Sequence, residues 1–90
     1  MNSDVHSLVI NVETSLVENS GELPTVALSG RNYVVTGADG TAQSLGAADG
    51  VVQVGIVGTS EQDYCVWVAA ADGTTIHAAS GSSTTKGACP

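Results

Sequence analysis

The two cysteines constrain this chain more than any other pair of residues. Cys65 stands inside the run "DYCVWVAA" (63–70), whose neighbours read as a buried strand, and Cys89 is the penultimate residue. A bond between them would close a loop of 25 residues and tie an aperiodic tail back to the sheet. The chain-entropy estimate for a loop of that length is about 3.5 kcal/mol. Small domains have only about 5–15 kcal/mol of net stability, so such a bond would supply a large share of it. It implies an oxidising compartment. The competing reading, two free thiols, would leave one of them exposed near the chain end, a liability in a reducing cytosol.

A staple is needed because the core is thin. The chain has 90 residues, a length at which folding hides only about 60–65% of the extended surface. Its apolar content rests on 13 Val and 11 Ala, with no Phe, one Trp and two Tyr. Val, Ile and Thr together number 25, a composition that suits pleated, half-buried surfaces better than helices.

Nine acids face only Arg31 and Lys86, for a formal net charge of −7. Two isolated cations cannot make the basic stripe that displaces counterions from phosphates, so no direct nucleic-acid binding is expected. The acids read as solubility for an otherwise sticky surface. No stretch approaches the length of a membrane span, and "MNSDVHS" at the start has no signal-peptide character.

Residues 3–19, "SDVHSLVINVETSLVEN", carry the one long helical pattern. Ser3 is the expected cap, Asp4 adds charge to the first turn, and Gly21 followed by Pro24 ends the run. Val5, Leu8, Val9, Val12 and Leu16 form one stripe, expected to lie on a sheet. Ile10 and Val17 form a second, narrower stripe on another side of the helix. One layer of sheet cannot cover both, so the second is covered by a loop or another molecule, or is left exposed. A strand is the competing local reading, because Leu8, Ile10, Val12 and Leu16 fall at even spacing.

From Val26 onward short β-branched runs are punctuated by glycine, giving expected strands at 26–28, 31–36, 41–45, 51–57, 64–70 and 74–79. The tripeptide Ala-Asp-Gly occurs at 38–40, 48–50 and 71–73, and each copy reads as a hairpin corner. Val52, Val54 and Ile56 alternate with Val51, Gln53, Gly55 and Val57; Tyr64, Val66 and Val68 alternate with Cys65, Trp67 and Ala69. The tail 80–90 has no periodicity and is expected to be loop. The fold class is therefore α+β: one N-terminal helix on a small antiparallel sheet (26–79), with a disulfide-tethered tail, in a single domain spanning 1–90.

Catalytic chemistry has no foothold in this pattern. His6 and His77 belong to no metal-ligand spacing, and no nucleophile elbow, P-loop or dinucleotide fingerprint is present. Asp39, Asp49 and Asp72 do not form a calcium loop, and each has a sufficient backbone role in its turn. No catalytic residue, metal or cofactor is expected.

The order helix, small sheet, then a disulfide from the last hairpin to the C-terminus resembles the soluble head of type IV pilins, most closely the actinobacterial, Gram-positive type. The matching residues are Tyr64, Cys65 and Val66, then Asp72 and Gly73, Thr74 and His77, and Gly87, Ala88, Cys89 and Pro90. Residues 3–23 resemble the C-terminal half of the pilin helix, although the usual aromatic near its end is replaced by "TSLVENSG". The resemblance implies a structural subunit of an extracellular filament at the cell surface, serving adhesion, motility, DNA uptake (competence) or secretion. Its partners would be further copies, minor pilins and the pilus assembly machinery. The membrane would be met only through an apolar N-terminal half-helix that this sequence does not include. In assembled pilins one helix serves its own sheet and its neighbours, which makes Ile10 and Val17 the expected subunit contacts. The alternatives are a secretion pseudopilin or an independent secreted β-rich module binding carbohydrate or a surface. The second would display a row of aromatics, and Trp67, Tyr64 and Tyr33 are too few and too scattered to make one.

The pairing is checked by intact mass. Iodoacetamide is expected to leave the native, unreduced protein unchanged and to add two groups after reduction in denaturant. Two adducts without reduction would reject the bridge.

Overall fold

β-Branched content and glycine punctuation produce seven strands behind one helix among the described residues. The computed structural model describes residues 2–60, 62–79 and 84–89. Helix α1 (Asn2–Glu18) is followed by β1 (Thr25–Ser29), β2 (Asn32–Thr36), β3 (Ala42–Gly46), β4 (Val51–Ser60), β5 (Asp63–Ala70), β6 (Thr75–Ala79) and β7 (Thr85–Lys86). The helical reading of the first segment therefore holds over the strand reading. Ser3 lies within the helix instead of capping it, and the helix ends at Glu18, one residue earlier than expected.

The helix closes through a left-handed residue, which is Ser20 at φ 56°. The Gly21 amide, at φ 86°, then donates back to the Leu16 carbonyl at 2.8 Å, satisfying a carbonyl that the helix end would orphan. Gly21 thus occupies the position after the one where glycine is usually found.

The strands form two antiparallel sheets instead of the single small sheet expected. The first has the order β1-β2-β3 and the second β4-β5-β6-β7. The reason lies at Ala48-Asp49-Gly50. The copies of this tripeptide at 38–40 and 71–73 turn hairpins, β2 to β3 and β5 to β6, and both Asp39 and Asp72 accept the backbone N–H two residues on, at 3.0 and 2.9 Å. The copy at 48–50 instead carries the chain from one sheet to the other. Its Ala48 amide is held by a side chain of the helix, and its Gly50 carbonyl accepts from Ala71 at 2.9 Å. β1 lies beside β4, so the two sheets meet there.

A register shift between Val51 and Gln53 corrects the alternation expected for β4. The bulge puts Val51 with Val54 and Ile56 against the core and leaves Val52 52% exposed. At the other end of β4, Gly58 has φ 144°, and a Cβ there would stand 2.2 Å from the Asp63 carbonyl oxygen. Only glycine permits so close a pass between β4 and β5.

The inner faces of both sheets and one face of α1 share a single core, including Tyr33 and Val35 from β2, Tyr64, Val66 and Val68 from β5, and Ile76 and Ala78 from β6. The tail was expected to be loop throughout, but Thr85 and Lys86 pair with His77 and Ile76 as an edge strand. Residues 80–83 and Pro90, also assigned to that loop, lie outside the described residues. Beyond β7, a bond joins Cys89 to Cys65 in the middle of the sheet, with the Cα atoms 6.0 Å apart.

Replacing both cysteines by alanine removes this tether. The expected loss is about 3.5 kcal/mol, or roughly 14–28 °C in Tm for a domain this size. A double variant that melts within a few degrees of the parent would show that β7 and the core hold the tail unaided.

Candidate functional site

How the helix is seated determines which of its side chains remain available. Val5, Leu8 and Val12 are fully buried, Leu16 is 2% exposed, and Val9 is half-buried against the same core. This stripe lies across both sheets, and a carboxylate on each flank reaches one of them.

Asp4 serves the first sheet. Its Oδ2 accepts the Tyr33 hydroxyl of β2 at 2.5 Å and the Ala48 amide, which leads into β4, at 2.8 Å. Glu13, on the opposite flank, accepts the hydroxyl of Tyr64 in β5. A buried tyrosine needs a partner for its hydroxyl, and here the helix supplies both partners. Burial, and then the hydrogen-bonded carboxylate, push both phenols well above their ordinary value near 10. These pairings were not expected from the sequence. The available signal was that each tyrosine alternates with core valines while an acid borders the apolar stripe of the helix.

With the flanks fixed, the remaining face of α1 points away from both sheets. Ile10 is 53% exposed and Val17 84% exposed, so among the described residues no loop covers the second stripe. The two are seven residues apart and share one side of the helix.

The outer face of the second sheet carries a different feature. Trp67, between Gly55 and His77 across the strands, is half-buried, and its ring lies against Gly55. Beside it is an open groove of about 480 Å³, to which Ala88 and Cys89 of the tethered tail contribute. His77 Nδ1 donates to the Gly87 carbonyl at 2.8 Å, holding the tail near this face. Tyr33 and Tyr64 are turned inward, so they do not join Trp67 in an aromatic row. His6 is on the helix, on another element from His77. A polar groove of about 210 Å³ between the helix end and the β2–β3 hairpin includes Asn11, Glu18, Asp39 and Gln43. Arg31 and Asp49 approach to 3.9 Å at the surface, both almost wholly exposed, a geometry of little energetic weight. Among the described residues no helix is long and apolar enough to cross a membrane.

The chain matches no protein-family model, and comparison with curated proteins and with solved structures returns no significant match.

The tyrosine seats make a pH prediction. Above about pH 10 the unfolded chain releases phenolic protons that the fold retains. The unfolded state then binds fewer protons, so stability falls as pH rises, whereas below that pH the contribution is complete. Tyrosinate absorbance is expected to appear together with unfolding, as read by Trp67 fluorescence. Tyr33→Phe or Tyr64→Phe should lessen the alkaline slope and each cost about 1–2 kcal/mol at neutral pH. Titration of both tyrosines near pH 10 with the Trp67 signal unchanged would contradict the assignment.

Proposed function

We propose that this domain is a structural subunit that polymerises through its N-terminal helix into an extracellular filament, as the soluble head of a type IV pilin does. The observation that carries the reading is the outward apolar pair Ile10 and Val17, left uncovered by a helix whose other stripe is already satisfied. Burial of such a pair against another copy stabilises association, because exposed aliphatic side chains gain roughly 1.5–3 kcal/mol each when fully covered. The acidic head, at net charge −7, suits a surface that stays in water while the helices pack together. The disulfide fits a protein working outside the cell, where such bonds persist. Its partners are further copies, minor pilins and the machinery that assembles them.

Ile10→Gln with Val17→Gln in the protein as its native cells produce it is the test. Glutamine keeps helix propensity while removing the apolar contact. Filaments counted by electron microscopy on the producing cells are expected to disappear. The Tm of the isolated domain should move by no more than about 4 °C, since exposed positions contribute little to stability. Normal filament numbers would reject the reading. So would a loss of Tm comparable to that of a core truncation such as Val12→Ala.

A further inference from the structure

We infer that the outer face of the second sheet binds a neutral pyranose sugar, stacked on Trp67. A Cβ built on Gly55 would stand 2.6 Å from Trp67 Cε2 and 2.7 Å from both Cζ2 and Nε1. Cε2 is bonded to the other two and would be the farthest of the three in an edge-on approach. Because it is the nearest, the face of the indole covers the glycine. The strand position opposite Trp67 thus has no side chain, and the half-buried ring lies over the sheet as a platform that lines the groove.

The surroundings select the ligand. Ala88 and Cys89 contribute a wall that the disulfide holds in place. One row along the sheet, Gln53 and Thr75 flank Ala69 and offer an amide and a hydroxyl at the rim. The groove, of about 480 Å³, falls in the range typical of small-molecule sites. Among the described residues that line it none is charged, and neither Arg31 nor Lys86 is one of them, so an anionic ligand finds no counter-charge there on a chain of net charge −7. A nucleotide is disfavoured for the same reason. A neutral pyranose fits these features, with an apolar C–H face for the indole and a rim of hydroxyls for Gln53 and Thr75. The face lies on the second sheet, apart from Ile10 and Val17 on the helix.

Trp67 is the sole tryptophan, so its fluorescence reports on this site alone. The domain is titrated with cellotetraose, N-acetylchitotetraose, maltotetraose and mannotetraose. At least one is expected to shift the emission saturably, with half-saturation below about 10 mM, the weak regime of a single stacked ring. Gln53→Ala and Thr75→Val are expected to raise that concentration at least about threefold, and Trp67→Ala to abolish heat release in calorimetry. If Trp67→Ala does not fold, the two rim variants carry the test. No saturable change with any of the four sugars overturns the proposal, as does binding unaffected by all the variants. Gly55 and Trp67 amide signals that move with protein concentration and ignore sugar would mark the groove as a contact between copies, which also overturns it.

Discussion

The seating of the helix across two sheets is the constraint on which the remaining features depend. A stripe of valines and leucines alone would tolerate rotation about the helix axis, because burial is non-directional. Asp4 and Glu13 remove that freedom by accepting the hydroxyls of Tyr33 and Tyr64, one in each sheet. Hydrogen bonds to an ionised acceptor are the stronger kind, and they demand geometry that apolar contact does not. Asp4 also holds the Ala48 amide at the crossover between sheets, so the same carboxylate fixes the path of the chain into β4. Once the rotation is set, the direction in which Ile10 and Val17 point follows from helical geometry.

The second constraint is the small core. Without Phe, and with valine and alanine supplying most of the apolar volume, each buried side chain removes modest area from water. Both tyrosines are spent inside, where they supply the largest buried rings, and neither is left for an exposed aromatic row. The bond from Cys65 to Cys89 compensates through the unfolded state, and in the folded state it lays the tail beside Trp67. One covalent link thereby stabilises the domain and shapes its outer groove.

Local signals were legible and long-range ones were not. The helix could be read from the spacing of Val5, Leu8, Val12 and Leu16, and the hairpins at Asp39-Gly40 and Asp72-Gly73 from turn chemistry. The same turn chemistry misled at Asp49-Gly50, because a chain reversal looks alike whether it joins two strands of one sheet or leads into another. The bulge at Val52 broke the simple alternation of β4, since one inserted residue reverses the facing of those beyond it. β7 was invisible because two residues carry no period. The carboxylate–tyrosine seats join positions 29 and 51 residues apart, where no local pattern extends. The exposed pair Ile10 and Val17 stood out as a stripe one sheet could not cover, and among the described residues nothing covers it.

The most direct measurement of the central claim is the solvent exposure of helix methyl groups in the dilute domain, read by NMR with a soluble paramagnetic agent. The seating described here predicts strong broadening of the Ile10 and Val17 methyl signals, while those of Val5, Leu8, Val12 and Leu16 remain sharp. Protection of Ile10 and Val17 at low protein concentration, or broadening spread evenly around the helix, would contradict it.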